Sequence, residues 1–223
     1  MISRKTANSI NGRIAFLAIS IIINSFFNAL TVSTQLGSAI WTASAVSLSH
    51  WTHISLGNIL FLEGVVVAFT NLALLGRFDW FRLIRNLLFI TPFSYLLAGF
   101  ETMFVKIGVP QLALGWRILL DIGGLFGVAA AVSLYQRANI IMHPNDDLPY
   151  ILRFRFMHGS SVYSQWMSNV PPLIIVVLVF VINGHWYSFG FGTIYNILTQ
   201  GYLIGWSDRH FLPILHHHLE FKN

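Results

Sequence analysis

The chain contains no cysteine and very little charge. Among its 223 residues none is Cys, and only 9% are Asp, Glu, Lys or Arg, whereas about 25% of an average soluble domain is charged. The scarcity of charge excludes an ordinary water-soluble globule, and the absence of Cys excludes a disulfide scaffold. The 19 Phe and 7 Trp exclude an intrinsically disordered chain.

Apolar residues make up most of the sequence instead. They account for 55% of the chain, and the mean hydropathy is +0.66, which is typical of an integral membrane protein. Windows of about 19 residues select six predicted spans, at residues 14–33, 57–76, 86–105, 112–136, 166–184 and 189–207. We therefore predict an all-α membrane protein with six transmembrane helices.

The basic residues predict how the chain is oriented in the bilayer. The net charge is +5, but the Lys and Arg residues are scattered between the apolar runs, so we predict a lipid bilayer and not nucleic acid as the partner. Of the 13 Lys and Arg, all but Lys106 and Arg117 fall on the N-terminal side of the six predicted spans. Because cytoplasmic loops retain positive charge, both termini are predicted to be cytoplasmic.

A weak internal repeat divides the chain into two halves. Tyr95–Glu101 resembles Tyr202–Asp208, and the same spacing aligns the connectors that follow the first and fourth spans. Each half then holds three spans, and an odd number forces the second copy into the opposite orientation, the inverted plan common among secondary transporters. The predicted repeats are residues 1–108 and 109–223, within one membrane domain.

Each half also contains a segment that is too short or too polar to cross a bilayer. These segments are residues 37–50, predicted outside, and residues 143–158, predicted inside. Moderately apolar runs of this length form either re-entrant helices or helices lying flat in the interface. Both alternatives remain open from the sequence.

Several motifs resemble the YczE/YyaS/YitT-like family of bacterial membrane proteins. They are His143–Leu148, Gly159–Ser161, Gly192-Thr193 and Gly201–Asp208. The outer element Leu36–Thr42 keeps the family's Gly and Trp but lacks its Pro and acidic residue. The resemblance implies a bacterial plasma-membrane location, and some members of that family carry a sugar-permease label while others are tied to peptide-antibiotic production.

Ionisable residues inside a predicted span need a reason, since each costs roughly 2.5–3.5 kcal/mol at mid-helix on insertion scales. Glu63 lies in span 2, where it either faces a polar cavity as a solute or proton site or fastens helices through a buried hydrogen bond. Arg117 and Asp121 lie one turn apart in span 4, which predicts an intramembrane ion pair.

Uncharged polar residues form stripes on two predicted helices. Asn24, Asn28 and Thr31 share one face of span 1, and Thr193, Asn196 and Gln200 share one face of span 6. Amides and hydroxyls offer donors and acceptors without charge, which suits a sugar- or polyol-like solute. The alternative is that these residues only hold membrane helices together.

Helix-breaking residues occur at similar places in the two halves. Pro92 falls in span 3 and Gly201 in span 6, and paired helix breaks are a sequence pointer to a transporter's binding site. No nucleophile triad, phosphate-binding loop or dinucleotide motif is found, so we expect no enzyme activity, no catalytic residues and no cofactor. His143 and the other connector histidines fall on opposite sides and are predicted to be solvated rather than to bind a metal.

Together these patterns predict a small secondary permease for a small polar solute, with a site between the two halves and alternating access. One alternative is the substrate-binding membrane subunit of a vitamin-type importer driven by separate ATPases. Another is a non-transporting accessory or scaffold of a biosynthetic or secretion system. Homodimerisation or a partner subunit is compatible with each.

Overall fold

A computed structural model describes residues 4–76, 78–158 and 161–216, and within these ranges every regular element is helical. The helices are α1 (Arg4–Ala7), α2 (Ile10–Thr34), α3 (Ile40–Thr52), α4 (Leu56–Leu75), α5 (Trp80–Lys106), α6 (Leu114–Ala138), α7 (Pro144–Arg155), α8 (Ser161–Asn183) and α9 (Phe191–His210), with a 3-10 turn at Val109–Gln111. The predicted all-α class is confirmed.

Five helices are long and apolar enough to cross a membrane: α2, α4, α5, α6 and the Tyr163–Asn183 part of α8. The predicted sixth span corresponds to α9, whose 20 residues reach about 30 Å at 1.5 Å per residue. This helix carries Asn, Gln, Ser and charged residues along its length, so it is not among the five apolar helices. The two short helices α3 and α7 occur where short non-spanning segments were predicted.

Helices α2 and α6 form an antiparallel pair at the centre of the molecule. The end of α2 meets the start of α6, where Thr34 donates a hydrogen bond of 3.1 Å to Asp121 Oδ1. The start of α2 meets the end of α6, where Arg13 Nε donates to the carbonyl of Ala138 at 2.7 Å. The two helices therefore run in opposite directions.

Close packing of this central pair depends on glycine. A Cβ added to Gly127 would lie 2.3 Å from the Phe27 ring, and one added to Gly124 would lie 2.7 Å from Thr31 Cγ2. In the sequence, Gly123, Gly127 and Ala131 recur every four residues and predict a small-residue ridge for helix packing. Gly123, however, has open space at its Cβ position. The ridge that packs helices is thus formed by Gly124 and Gly127, and it contacts α2 of the same chain.

Helix α9 runs parallel to α6. Its first turn lies beside the start of α6, because a Cβ added to Gly192 would lie 2.2 Å from Asp121 Oδ2. Its last turn lies beside the end of α6, where Ser133 donates to Asp208 Oδ1 at 2.6 Å. In the first half, α4 and α5 are antiparallel, because a Cβ added to Gly57 would lie 3.3 Å from Ala98 Cβ whereas one added to Gly64 would lie 2.3 Å from Ile90 Cγ1.

The short helices α3 and α7 are both wedged between α4 and α8. Helix α3 packs against α8 more extensively than against α4, and α7 packs about equally against both. Each short helix thus contacts a long helix from the other half of the chain. The helix packing of the two halves differs in one respect. Helix α4 packs along α5 in the first half, whereas the described residues of α8 and α9 make little contact in the second.

Both positions that were predicted to break helices lie inside continuous helices. Helix α5 runs through Pro92 and α9 runs through Gly201, so the interruption expected at each is not observed. Proline removes one backbone donor from a helix, and membrane helices tolerate this where neighbouring groups compensate. A Cβ at Gly201 would contact nothing within 4 Å, so no close approach requires glycine there.

Arginine side chains cap the C-terminal ends of three long helices. The caps are Arg13 on the Ala138 carbonyl of α6, Arg117 on the Thr34 carbonyl of α2, and Arg155 on the Leu75 carbonyl of α4. The last carbonyls of a helix have no partner within it and carry partial negative charge, so a guanidinium is favoured there.

Candidate functional site

A cavity of about 160 Å³ lies half-way along the long helices. Its walls come from α2, α4, α5, α6, α8 and α9, and from the first residues of α3 and α7. This volume holds on the order of ten water molecules, or one solute of similar size.

Five of the seven predicted solute-binding residues line this cavity together: Asn24, Asn28, Glu63, Asn196 and Gln200. They come from three helices that are distant in sequence. The two threonines of the same stripes do not line the cavity. Thr31 is fully buried against α6, and Thr193 is fully buried at the start of α9.

Four further amide side chains line the cavity and were missed by the sequence interpretation: Gln136, Asn145, Gln165 and Asn169. They lie near the end of α6, at the start of α7 and in the first half of α8. Polar residues near helix ends do not indicate a cavity in the sequence, because polar residues are equally typical of solvated turns. No Lys or Arg is among the described residues of the cavity wall, so the wall is polar without positive charge.

The amides of the cavity differ in how well the protein satisfies them. Asn28 Nδ2 donates to Asn24 Oδ1 at 2.8 Å, and Asn28 Oδ1 accepts from Thr42 at 3.1 Å. In contrast, Asn196 is only 4% exposed and makes no hydrogen bond with any described residue. Its amide atoms are not among the described polar atoms that are fully buried without a partner, so they face the cavity and are available to a molecule there.

Glu63 is held in the cavity wall by the short helix α3. Ser44 Oγ lies 2.9 Å from Glu63 Oε1 and 2.8 Å from the carbonyl oxygen of Trp41. Ser44 is fully buried, whereas Glu63 keeps part of its surface open. The carboxyl group is therefore fixed in direction and still accessible from the cavity.

The first residues of α7 bring a histidine into the cavity wall. His143 is 6% exposed, and its ring contacts Phe89 and Phe93 edge to face. Its Nδ1 accepts from the backbone of Asn145 at 3.2 Å and so caps the helix. Burial lowers the pKa of His143 to about 3. The prediction that this connector histidine is solvated is therefore wrong.

Asp146 lies in the same wall and accepts a short hydrogen bond from the Tyr135 hydroxyl. Burial raises the pKa of Asp146 to about 6, the Tyr135 hydrogen bond opposes that rise, and the neighbouring Asp147 adds to it. Near neutral pH the start of α7 therefore presents a neutral imidazole beside the Asp146 carboxyl group.

The buried imidazole predicts a measurable pH dependence of stability. Because the pKa of His143 is lowered from 6.5 to about 3, its contribution to the free energy of unfolding is complete above pH 6.5 and is lost as the pH falls, by up to about 1.4 kcal/mol per pH unit. We expect His143→Asn, which retains a capping oxygen, to flatten the fall of the unfolding temperature between about pH 6.5 and 4. The raised pKa of Asp146 makes stability change with pH in the opposite direction, but it does so in the wild type and in the variant alike. The test is therefore the difference between the two proteins in the slope of unfolding temperature against pH. Equal slopes would contradict this expectation.

A larger opening of about 1000 Å³, the vestibule, adjoins the cavity at one end of the molecule. It is lined by the first turns of α2 and α5, the end of α6, and α7. Gln136, Asp146, Pro149 and Gln165 line both spaces, so they form the boundary between them. Arg82 Nε donates to Asp147 at 2.6 Å in a two-pronged ion pair that joins α5 to α7 there.

At the opposite end of the molecule lies a group of contacts that we call the clasp, formed by Thr34–Ser38, Asp121 and Ser188–Thr193. Gly192 N donates to the Leu36 carbonyl at 3.0 Å, and Ser38 N donates to Thr193 Oγ1 at 3.1 Å. Ser188 and Ser38 hydroxyls lie 2.8 Å apart. These bonds join the α2–α3 connection to the start of α9.

The predicted ion pair between Arg117 and Asp121 is not observed. Arg117 Nε donates to the Thr34 carbonyl at 2.7 Å, and Asp121 Oδ1 accepts from the Thr34 hydroxyl at 3.1 Å. The uncapped carbonyls at the end of α2 compete successfully for the guanidinium. Asp121 is fully buried, and among the described residues its Oδ2 has no hydrogen-bond partner.

Comparison with known proteins gives a family and no activity. Residues 12–209 match the model of DUF6198, described as a family of unknown function. No curated protein and no solved structure matches the chain.

Proposed function

The chain belongs to the DUF6198 family, and we propose that it is a small secondary permease for an uncharged, hydroxyl-rich solute such as a sugar or polyol. The observation that carries the proposal is the central cavity, lined by amides and two carboxyl groups from both halves of the chain and by no described Lys or Arg. Such a wall offers paired donors and acceptors to hydroxyl groups and provides no cation to hold an anionic solute.

The two ends of the cavity support alternating access. At one end the cavity shares four wall residues with a wide vestibule, and the clasp lies at the other end of the molecule. A transporter needs a state that is open to one side only. In the state of this structure, the solute enters and leaves through the vestibule. In the other state the vestibule is closed, the clasp is open, and the solute enters and leaves at the clasp end.

We infer that the two halves are inverted repeats, residues 1–108 and 109–223, and that α9 is the sixth span. Three features support this: α2 and α6 are antiparallel, the short helices of both halves pack between α4 and α8, and α5 packs on α2 as α9 packs on α6. The loose contact between α8 and α9 is then the structural difference between the halves that leaves one end open.

We further infer a bacterial plasma-membrane location with the vestibule end and both termini in the cytoplasm. Arg82, Arg85 and Arg153 line the vestibule, whereas Arg117 lies at the clasp end, as the retention of positive charge on the cytoplasmic side requires. Some members of the YczE/YyaS/YitT-like family carry a sugar-permease label, which agrees with the proposed solute class. The resemblance of this chain to that family remains a prediction.

Thiol labelling of single-cysteine variants tests the pathway, because the chain has no cysteine of its own. We expect cysteines at Asn28 and Asn196 to react with a membrane-impermeant thiol reagent added from the vestibule side of oriented vesicles and to react slowly from the clasp side. Thr31→Cys is the matched control, since Thr31 lies one turn from Asn28, is fully buried and does not line the cavity. If neither cavity position reacts from either side, the permease proposal fails and the accessory alternative is favoured.

A stability screen identifies the solute class. A ligand at 100 times its dissociation constant adds about 2.7 kcal/mol to the free energy of unfolding, and we expect sugars or polyols, not amino acids or organic anions, to raise the unfolding temperature. Asn196→Ala should leave the solute-free protein about as stable as wild type, because the Asn196 amide faces the cavity and has no hydrogen-bond partner among the described residues. The same variant should weaken solute binding roughly fivefold or more, from the loss of about 1 kcal/mol per hydrogen bond. A variant that is destabilised without solute would show that Asn196 fastens helices instead.

A further inference from the structure

We propose that Glu63 carries an exchangeable proton into the cavity and is the coupling-proton site of the chain. This inference rests on the proposed permease function and adds its energy source. The observation behind it is the number of hydrogen-bond donors and acceptors around the Ser44 hydroxyl, which contacts Glu63.

A serine hydroxyl has one proton to donate. Ser44 Oγ lies within hydrogen-bond distance of two oxygens, the Trp41 carbonyl at 2.8 Å and Glu63 Oε1 at 2.9 Å. The carbonyl oxygen can only accept. Both contacts are filled together when Ser44 donates to Trp41 and a protonated Glu63 donates to Ser44. When Glu63 loses its proton, Ser44 turns and donates to the carboxylate instead.

The surroundings of Glu63 favour the protonated acid in this state. The titratable groups on the described cavity wall are Glu63 itself, Tyr135, His143 and Asp146, and none of the wall residues is Lys or Arg. Of the helices that pack against α4, α3 and α5 contribute only Thr, Trp, Ala, Ile and Phe to the wall, and α7 contributes the neutral-or-acidic set His143, Asn145, Asp146 and Pro149. A carboxylate at mid-membrane depth without a cation is costly.

Water access makes this proton exchangeable. Glu63 lines the cavity, and the cavity shares Asp146 and Gln136 with the vestibule. On deprotonation the proton passes from Glu63 Oε to a water molecule in the cavity and leaves through the vestibule as hydronium, so the carboxylate gains the electron pair of the O–H bond and no other bond changes.

Asp121 provides an internal control with the same local chemistry. Thr34 Oγ1 lies 2.7 Å from the Thr31 carbonyl and 3.1 Å from Asp121 Oδ1, so the same count of donors and acceptors favours a protonated acid. Asp121 is fully buried and lines neither the cavity nor the vestibule. We therefore expect its proton to be structural and to exchange slowly with water.

Infrared spectroscopy of the carbonyl stretch of protonated carboxyl groups tests this proposal in the lipid-reconstituted protein. We expect a band at neutral pH that is lost in Glu63→Gln and shifted in Ser44→Ala, which removes its acceptor. A second band should be lost in Asp121→Asn. On transfer to D₂O the Glu63 band should shift at least tenfold faster than the Asp121 band.

Two results would overturn the proposal. Absence of any band that depends on Glu63 would show an ionised carboxylate, and a Glu63 band that exchanges as slowly as the Asp121 band would show a merely structural acid. Both outcomes are independent of the thiol-labelling result. A labelled pathway with no exchangeable Glu63 proton therefore leaves the permease and removes its proton coupling, whereas an exchangeable proton without labelling removes the permease.

Discussion

Arg137→Met is expected to produce the largest loss of stability among single substitutions in this chain. Arg137 lies in the last turn of α6 and is 1% exposed. Its guanidinium donates to the carbonyls of Phe211 at 2.8 Å, Leu212 at 2.9 Å and Leu215 at 3.3 Å. It therefore ties the segment after α9 to α6.

The expected cost follows from what the substitution leaves behind. Methionine fills a similar volume but donates no hydrogen bond. The three carbonyls that follow α9 therefore lose a buried charged donor. Asp208, whose Oδ1 lies 3.6 Å from Arg137 Nε, also loses that nearby cation. Removal of one member of a buried charged network costs about 3–5 kcal/mol. We expect the unfolding temperature to fall by roughly 10 °C.

The measurement is thermal unfolding together with size-exclusion chromatography of the detergent-purified protein. Arg85→Met is the matched control, because Arg85 is exposed and makes no hydrogen bond with a described residue, and surface substitutions usually change stability by no more than about 0.5 kcal/mol. Arg137→Lys should be intermediate, since an ammonium keeps the charge but cannot bridge several carbonyls as a planar guanidinium does. Equal unfolding temperatures for Arg137→Met and Arg85→Met would contradict the role assigned to this residue.

The positions of the long helices were predictable because hydropathy is a local property of the sequence. The predicted span at residues 57–76 corresponds to α4 at Leu56–Leu75, and that at residues 112–136 corresponds to α6 at Leu114–Ala138. The cavity positions of Glu63 and Asn196 were predictable for a related reason. A polar group in an apolar run needs a compensating partner or a cavity, and the sequence shows the anomaly directly.

The remaining features depend on tertiary contacts that spacing does not reveal. Arg117 and Asp121 are spaced to pair, but the end of α2 takes both side chains through Thr34. His143 lies in a connector, where histidine is ordinarily solvated, yet α7 inserts it between two phenylalanine rings. In both cases the deciding partner lies far away in sequence, on another helix.

Gly192→Ala is expected to open the clasp, because the added methyl group has no room. Its Cβ would lie 2.2 Å from Asp121 Oδ2. Asp121 cannot turn away easily, since it is fully buried and its Oδ1 is held by Thr34. Relief of the overlap must therefore move the start of α9 away from α6 and from the Leu36 carbonyl to which Gly192 donates.

We expect this substitution to cost about 1–3 kcal/mol of unfolding free energy and to make a cysteine at position 28 reactive from the clasp side as well as from the vestibule side. Gly205→Ala on the same helix is the control, because a Cβ there contacts nothing within 4 Å. That substitution should stabilise the helix by about 0.5–1 kcal/mol and leave labelling unchanged.

A double-mutant cycle assigns the effect to the clasp rather than to helix propensity. Asp121→Ala removes the atom that the new methyl group would overlap, so Gly192→Ala should cost at least 1 kcal/mol less in that background. If Gly192→Ala lowers stability but position 28 stays closed to reagent on the clasp side, the clasp is a fixed structural contact. The proposed alternating access would then require other contacts to open at this end of the cavity, because the bonds between the α2–α3 connection and α9 would stay closed.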